Sequence, residues 1–461
     1  MIVFSLVVFA SPILTGILIA HLLWPGKNDL IGISLKLFLG IGLGLGISSL
    51  FYFIYLIFFA GTPYFIYIEF VLFFILLAVA YFTQKKTVYT RALQSRVNFL
   101  QIAILIIAGF VTLASFIGLV NYSRQRANGD WDAWMIFNRA ARFIYRGPET
   151  WQDAFSKDID LIFHADYPPL LALNIASRWD ILNKETNYVP MFLGFLFSLA
   201  SLGLCFSALA RLKSLGQAGL GLILLAGVSF FLSEGGRETA DLPLAYYILA
   251  SVVLLFFYYH ENRPILMVFA GFTAGLAAWT KNEGSLFVFA SLGVIAVDGL
   301  WKRSFQRIYT YLIGLLLPMG LLVYFKFYLA PPSEFFSAGK SKIIQDLMDL
   351  SRHQLIFDYF KNFFLHVGGW ENIGIFLILC LYFLLFHSPI KNNSNAVLIS
   401  ITVFACQIMG YYLLYLISPY DLVWHLSYSL NRLFVQVYPA TVFTILIASH
   451  TPEMIFSPGS E

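Results

Sequence analysis

Charged side chains are scarce in this chain. Asp, Glu, Lys and Arg together make up 12% of its 461 residues, whereas 59% of the residues are hydrophobic. This composition is far too apolar for a soluble protein of this length. The shortage of charge therefore excludes a soluble enzyme and predicts an integral membrane protein. A net charge of +4 at pH 7 gives no indication of a nucleic-acid partner.

Cysteine is scarce as well, with only Cys205, Cys380 and Cys406 in the chain. All three lie inside apolar runs and far apart, so we expect packing residues rather than a disulfide or a metal site. The chain also shows no low-complexity tract, no charge run and no solenoid repeat. The first apolar segment lacks a charged start and a cleavage site of small residues, which favours a retained helix over a signal peptide.

Apolar segments long enough to cross about 30 Å of hydrocarbon as helices recur along the chain. They predict an all-α polytopic membrane protein with about thirteen transmembrane helices. The segments lie near 2–23, 32–59, 63–83, 98–120, 189–210, 217–233, 242–259, 264–280, 284–300, 308–330, 372–387, 396–417 and 433–449.

The distribution of basic residues among the short loops predicts the orientation, because cytoplasmic loops carry an excess of Lys and Arg. One set of loops holds Lys27, Lys85, Lys86, Arg91, Arg96, Arg211, Lys213, Arg263, Lys302, Arg303, Arg307 and Lys391. The other set contains the long or acid-rich connections, at 121–188, 233–241, 281–284, 331–371 and 418–432. We therefore expect the chemistry to face away from the cytoplasm.

Two amphipathic surface helices are predicted within the first long outer loop. In 134–146 the basic residues fall on neighbouring turns opposite an apolar stripe, a pattern typical of a helix that lies flat in the membrane interface. A second helix is expected to begin at Tyr167-Pro168-Pro169, because proline suits the first helical turn.

Asp130 and Asp132 are the leading candidates for catalysis. They lie in a polar island at 129–134 that follows an apolar run, where carboxylates are costly unless they have a function. Each could act as a general base towards an acceptor hydroxyl or bind a divalent cation. Trp131 and Trp134 add flat rings that can stack on a sugar or lie at the headgroup level. The alternative is a helix N-cap.

Two further polar groups are expected on the same side. His164 and Asp166 could bind an acceptor or a metal, or could simply be solvated in a loop. Arg237, Glu238 and Asp241 lie in a short loop where the wall of an outward-facing cavity would be expected. A salt bridge between Arg237 and Asp241 at a helix entry is the structural alternative.

Lys281 and Glu283 occupy the turn of a tight helical hairpin. The ammonium group of Lys281 could reach a phosphate. The alternative is a polar turn that keeps the hairpin at the membrane surface.

Asp421, His425, Ser429 and Arg432 share one helical face that leads into the last span. Together they suit an anionic lipid headgroup, and a guanidinium near hydrocarbon is expensive without a partner. Snorkelling of Arg432 to the headgroups is the alternative. Because these loops lie on one side, we expect Asp132, Arg237 or Glu238, Lys281 and Arg432 to line one cavity.

Taken together, these residues resemble the GT-C superfamily of integral membrane glycosyltransferases. This superfamily includes protein O-mannosyltransferases, the lipid A aminoarabinose transferase and the catalytic subunit of oligosaccharyltransferase. Its members have a span that leads into a first outer loop with a catalytic Asp and two surface helices, and a later outer loop after the seventh core span. Residues 102–120, the pair Asp130 and Asp132, and the loop 331–371 follow this order.

The first loop is similar to that of oligosaccharyltransferase in having Asp132, then Trp134, then Asn138 and Arg139, although the spacing downstream differs. The chain departs from both relatives in other respects. It lacks Trp-Trp-Asp, and it has Asp-Trp-Asp where O-mannosyltransferases have adjacent Asp-Glu. Three apolar segments precede the core. We therefore expect N-terminal helices at 1–97, a GT-C-like core at 98–371 and C-terminal helices at 372–461.

The resemblance implies a glycosyltransferase, either hexosyl or pentosyl, in the cell membrane. It would move a sugar from a polyprenyl-phosphate donor to a hydroxyl of a lipid, glycan or protein on the outer face, with inversion. Asp132 would be the base, with Asp130 the next candidate. The candidates for neutralising the departing phosphate are Arg432, Lys281, Arg237 and Arg139. The expected substrate contacts are Trp131, Trp134, His164, Asp166, Glu238, Asp241, Glu283, Asp421 and His425.

Two other functions are compatible with the sequence. One is a ligase or polymerase of the O-antigen type with a polyprenyl-diphosphate donor, and the other is a transporter or flippase for a lipid-linked sugar. A transporter would pair charges at mid-membrane and repeat broken helices, whereas the charges here gather at one face. The expected chemistry requires no cofactor, although a divalent cation is compatible with it.

Overall fold

The computed structural model describes residues 2–24, 28–83, 98–159, 164–333, 340–368, 373–388 and 394–456. Within these ranges the chain is helical and forms no named strand; an isolated β-bridge joins His387 to Ser449. The all-α class that the apolar periodicity predicts is therefore confirmed.

The helices are numbered here in chain order. They are α1 Ile2–Val7, α2 Ala10–Leu23, α3 Leu30–Phe59, α4 Phe65–Thr83, α5 Phe99–Gln125, α6 Asn138–Arg146, α7 Leu170–Leu182, α8 Tyr188–Leu212, α9 Leu215–Ala226, α10 Ser229–Arg237, α11 Asp241–Glu261, α12 Pro264–Thr280, α13 Asn282–Trp301, α14 Phe305–Tyr328, α15 Lys340–Met348, α16 Leu350–His366, α17 Ile375–Phe386, α18 Ser394–Leu416, α19 Leu422–Ala448 and α20 Pro452–Phe456.

Ten helices of the described chain are long and apolar enough to cross a membrane. The pair α9 and α10 bends by 69° at its break and gives an eleventh span if the two helices are counted as one. Helices α12 and α17 are shorter apolar helices, and with them every predicted apolar segment corresponds to a helix or a bent pair. The chain is a multi-pass membrane protein.

The connections alternate between two ends of the helix bundle. Arg211 lies at the end of α8, Arg263 follows α11 and Lys302 follows α13. Two spans separate each of these positions from the next, so all three lie at the same end of the bundle. Lys281 and the start of α19 lie at the other end, because an odd number of spans separates them from the first set. Six of the predicted cytoplasmic residues lie outside the described residues: Lys27, Lys85, Lys86, Arg91, Arg96 and Lys391.

The two predicted surface helices of the first outer loop differ in the structure. Helix α6 is amphipathic as predicted, with Ala140, Ala141 and Ile144 buried. The second helix forms as α7 directly after Pro169, as predicted, but its predicted location at the surface is wrong, because every residue from Leu170 to Trp179 is buried. The N-terminal helices α1, α3 and α4 pack against it.

A buried ion pair attaches α7 to these N-terminal helices. The Arg178 guanidinium is 0% exposed and lies 2.5 Å from the Glu69 carboxylate of α4. Arg178 also donates hydrogen bonds to the Val8 carbonyl at 2.7 Å and to Ser48 Oγ at 3.1 Å. The Arg178 side chain therefore joins α7 to α3, to α4 and to the residues between α1 and α2. These contacts hold α7, which follows the outer loop that carries the candidate site.

Candidate active site

Asp132 lies at the start of a π-helical turn, Ala133–Phe137, directly after the loop that leaves α5. Its side chain makes no capping hydrogen bond to this turn, so the N-cap alternative does not account for it. The carboxylate instead accepts a hydrogen bond from Arg432 Nη2 at 2.5 Å. π-Helical turns are rare and occur frequently at functional sites. The wide turn directs the Asp132 carboxylate towards α19.

Asp241, the first residue of α11, lies at the centre of the same cluster and is 0% exposed. One carboxylate oxygen accepts from Arg432 Nε at 2.8 Å, and the other accepts from Lys281 Nζ at 2.8 Å. Gln436 Nε2 donates to Asp241 at 2.7 Å. The sequence predicted that Asp241 contacts substrate. Because its oxygens are buried and occupied, Asp241 instead holds the two cations in place.

Lys281 is the single extended residue between α12 and α13. Its ammonium group lies 3.2 Å from the Glu283 carboxylate and 5.7 Å from the centre of the Tyr167 ring. The hairpin is tight because Gly284 packs directly on the Ala277 carbonyl, where a Cβ atom would collide with the backbone. This close approach fixes the backbone from which Lys281 projects.

The structure thus brings together Asp132, Lys281 and Arg432 around Asp241, three of the residues that the positive-inside argument grouped. That they line one cavity with Arg237 or Glu238 stays a prediction. The structure also adds a chain of polar side chains that the sequence analysis missed. Gln436 lies one turn after Arg432, and Tyr411 donates to it at 2.8 Å. The spacing of four between Arg432 and Gln436 within an otherwise apolar helix was a signal for this pair.

Asp130 belongs to a second, adjacent cluster. Its carboxylate pairs with Arg126 and lies 3.1 Å from Arg237 Nε. Arg237 also contacts Glu234 at 2.9 Å. Arg237 therefore pairs with Asp130 and Glu234 rather than with Asp241. Asp130 has two cations of its own, whereas Asp132 shares Arg432 with the buried Asp241.

Glu238 has an unusual environment next to this cluster. Its backbone is left-handed, with φ of 60°, and its side chain is buried against the loop at Gly129. Neither carboxylate oxygen has a hydrogen-bond partner of good geometry among the described residues. Burial raises the pKa of Glu238 to about 8, and Asn138 partly opposes this rise. Glu238 is therefore mainly protonated at neutral pH.

We expect Glu238→Gln to stabilise the protein at pH 8 and above. The pKa of Glu is about 4.3 in the unfolded chain and about 8 for Glu238 in the folded protein. Below about pH 4.3 Glu238 is protonated in both states. Between about pH 4.3 and pH 8 it ionises only in the unfolded chain, so the free energy of unfolding falls as the pH rises. Glutamine keeps the shape without ionising, and we expect it to gain about 1 kcal/mol or more. Thermal unfolding of both proteins in detergent between pH 5 and pH 9 measures this difference. Equal pH profiles would contradict the assignment.

A third polar group lies at the end of the first outer loop. Asp166 accepts a hydrogen bond from Asn282 Nδ2 at 2.8 Å, and Lys326 Nζ donates to Asn282 Oδ1 at 2.7 Å. The His164 ring stacks on Tyr167 with centroids 4.7 Å apart. Because Asn282 follows Lys281 directly, this group adjoins the Asp132 cluster. The sequence analysis identified His164 and Asp166 but missed Lys326.

The other predicted residues lie around this centre or away from it. Arg139 Nε donates to the Met135 carbonyl at 2.9 Å, which turns the guanidinium along its own helix. Asp421 is exposed and caps α19 by accepting from the Trp424 amide at 2.8 Å. His425 shares a hydrogen bond of 2.7 Å with Ser418 Oγ. Asp421 thus caps α19, and Arg432 alone of that helical face reaches Asp132. The substrate contacts of Asp421 and His425 stay predictions.

The charged side chains of the site were compared with the ligand set of a metal ion. Among the described residues, no group of three His, Cys, Asp or Glu side chains is arranged to hold one. Asp132 and Asp241 each face the Arg432 guanidinium, so the cluster already supplies fixed positive charge. The two cations, Arg432 and Lys281, are groups that make charge-assisted hydrogen bonds to a phosphate.

One segment of the chain matches a known protein family. Residues 166–325, about a third of the chain, match the family model described as dolichyl-phosphate-mannose-protein mannosyltransferase, a GT-C superfamily domain. The resemblance inferred from the sequence is thereby confirmed for this segment. No curated protein and no solved structure is significantly similar to the chain.

The matched segment includes Asp166, Asp241, Lys281 and Glu283 but not Asp132 or Arg432. It supports a glycosyltransferase that depends on a polyprenyl-phosphate sugar. Arg432 contacts both Asp132 and Asp241, so it connects the outer loop and the last span to the matched domain.

Proposed function

We propose that this protein transfers a sugar from a polyprenyl-phosphate donor to a hydroxyl acceptor on the extracytoplasmic side of the cell membrane, with inversion. The observation that carries this proposal is the direct contact of Asp132 with Arg432, 2.5 Å apart, beside the matched glycosyltransferase domain. A carboxylate and a guanidinium side by side supply the two functions that the reaction needs. They are a base for the acceptor and a cation for the leaving phosphate.

In the proposed reaction, Asp132 accepts the proton of the acceptor hydroxyl. The hydroxyl oxygen forms a bond to the anomeric carbon while the bond from that carbon to the phosphate oxygen breaks on the opposite face. The polyprenyl phosphate leaves with the electron pair of that bond. Arg432 and Lys281 stabilise the charge that develops on it, because fixed cations in a water-poor site act without reorganisation. Both cations are held by Asp241.

The contact between Asp132 and Arg432 implies an order of events. A donor phosphate and the Asp132 carboxylate compete for the same guanidinium, because both are anions that accept hydrogen bonds from it. Arg432 Nε remains on Asp241, so the cation stays in place when Asp132 is displaced. Donor binding therefore releases Asp132 to act as a base.

The outer-face assignment is supported by the loop charges. Arg211, Arg263 and Lys302 lie at the end of the bundle opposite Lys281 and the start of α19, and basic loops favour the cytoplasm. A polyprenyl-phosphate sugar presented in the outer leaflet would meet Arg432 from the membrane.

Arg432 gives a test of donor binding. We expect Arg432→Lys to bind farnesyl phosphate more weakly than wild type, because lysine keeps the charge but loses the bidentate fork, and Arg432→Ala to bind it more weakly still. A charge-assisted contact of about 1.5 to 3 kcal/mol corresponds to a loss of roughly ten- to a hundred-fold. Calorimetry or microscale thermophoresis in detergent measures the three affinities.

Arg139→Lys is the matched control, because Arg139 Nε donates to the Met135 carbonyl of the π-helical turn. Its affinity for farnesyl phosphate should stay near that of wild type. Equal affinities of wild type, Arg432→Lys and Arg432→Ala would make Arg432 a structural residue that snorkels to headgroups.

A further inference from the structure

The outer end of α19 has an exposed face that none of the contacts described above uses. Trp424, Ser427, Tyr428 and Asn431 are all exposed, and their spacing of three, one and three residues places them on one side of the helix. Trp424 is 53% exposed and Tyr428 is 51% exposed. Two aromatic rings therefore alternate with two small polar side chains.

The two rings are ordered with respect to each other. Their planes lie at 8° and their centroids are 5.6 Å apart. Between them, Ser427 Oγ donates to the Trp424 carbonyl at 3.0 Å, which leaves its lone pairs available to accept a hydrogen bond. The face thus offers parallel apolar surfaces next to hydrogen-bonding groups.

This face leads directly to the candidate active site. Tyr428 precedes Arg432 by one helical turn, and the rise of an α-helix puts Trp424 only about 12 Å from Arg432 along the axis. The phenol of Tyr428 lies close enough to Asp132 and Arg432 to interact electrostatically with both. A molecule that lies along the face has one end at Asp132.

The surroundings favour water over lipid at this face. The predicted apolar run of the last span begins at residue 433, and every residue from 433 to 440 is buried within the protein. Ser427 and Asn431 precede that run and are exposed, and exposed polar side chains are unfavourable in hydrocarbon. Because α19 has 27 residues and about 20 are enough to cross the hydrocarbon, we place its first turns, and this face, above the hydrocarbon and beside the outer loops.

We propose that this face is the acceptor subsite and that the acceptor is a carbohydrate; the inference rests on the function proposed above. The apolar C–H face of a sugar ring buries its surface on Trp424 and Tyr428. Ser427 and Asn431 exchange hydrogen bonds with its hydroxyl groups. A sugar held in this way presents a hydroxyl to Asp132. An extended peptide acceptor would instead need backbone partners or side-chain pockets, which a face of parallel rings does not provide.

The test uses the full-length protein in nanodiscs on a printed array. The array carries oligosaccharides of hexoses, pentoses and hexosamines, beside Ser- and Thr-containing peptides. We expect wild type to retain a subset of the oligosaccharides. Trp424→Ala and Tyr428→Ala should each weaken that binding roughly tenfold, and Trp424→Phe should keep most of it. Trp301→Ala is the matched control, since Trp301 is 87% exposed at the opposite end of the bundle.

A second measurement separates this inference from the proposed function. Farnesyl phosphate should bind equally to wild type and Trp424→Ala, because the ring lies outside the Arg432 cluster. Failure of wild type to bind farnesyl phosphate would count against the proposed function and not against the carbohydrate subsite. The subsite is overturned if wild type retains only peptides or no oligosaccharide. The subsite is also overturned if Trp424→Ala binds oligosaccharides as tightly as wild type and differs only in stability. The Trp424 ring would then belong to a membrane-interface belt.

Discussion

Asp132→Asn is expected to stop sugar transfer while binding polyprenyl phosphate more tightly than wild type. Asparagine has nearly the same shape but cannot accept the acceptor proton, so transfer should fall by about 10²- to 10⁴-fold. Its neutral amide also ceases to compete with phosphate for the Arg432 guanidinium, 2.5 Å away in the wild type. The affinity for farnesyl phosphate should therefore rise, by roughly up to tenfold. Turnover of a polyprenyl-phosphate sugar and calorimetry with farnesyl phosphate measure the two effects.

Asp130→Asn is the matched control for this experiment. Asp130 pairs with Arg126 and Arg237 and not with Arg432, so its loss should reduce transfer less and leave the affinity for farnesyl phosphate unchanged. Wild-type turnover by Asp132→Asn would remove Asp132 as the base. Tighter phosphate binding by Asp130→Asn, but not by Asp132→Asn, would move the phosphate site to the Arg237 cluster.

The transmembrane architecture could be predicted from the sequence because each span must satisfy its own backbone hydrogen bonds within lipid. Length and hydrophobicity therefore locate the helices with few exceptions. The bend between α9 and α10 is one exception, because the apolar run continues across it and the sequence predicted one span at 217–233. The bend of 69° directs α10 so that Arg237 meets Asp130.

Helix α7 shows why burial was harder to predict. It was predicted to lie at the surface, yet even its polar residues Asn174, Ser177 and Arg178 are buried. Their partners come from distant segments, for example Glu69 in α4. Such a pair leaves no periodic signal in either helix, since each residue alone looks like an isolated charge.

The candidate site could be predicted in part because its members lie near the same membrane face. Asp132, Lys281 and Arg432 come from separate outer loops and helix ends, and the orientation of the chain was enough to group them. The roles within the group depend on distances that the sequence does not contain. In the sequence, Asp241 and Glu238 are both acidic residues of one short loop. In the structure, only Asp241 accepts hydrogen bonds of 2.7 to 2.8 Å from Lys281, Arg432 and Gln436, so it holds the two cations in place.

Removal of one partner from the Glu69–Arg178 pair is expected to cost about 3 to 5 kcal/mol of stability, because it leaves an uncompensated charge in the protein interior. In Glu69→Gln the Arg178 guanidinium, 0% exposed, keeps its positive charge without a carboxylate. In Glu69→Leu/Arg178→Leu neither charge remains, so the double variant should be more stable than Glu69→Gln. Denaturation in mixed micelles with increasing SDS measures the free energy of unfolding of each protein.

The exposed pair of Arg146 and Glu185 provides the control, because its nitrogen and oxygen atoms are only 2.5 Å apart yet lie in contact with solvent. Arg146→Gln should cost less than about 1 kcal/mol.

A similar small cost for Glu69→Gln would show that water or a shifted proton compensates Arg178, and the N-terminal helices would then be only loosely coupled to α7. A large cost in the free energy of unfolding would instead show that the N-terminal helices hold α7 in its position next to the site. The loop from Asp132 to Asp166 ends at α7, so a displaced α7 would also lower transfer in Glu69→Gln while leaving farnesyl phosphate binding by Arg432 intact.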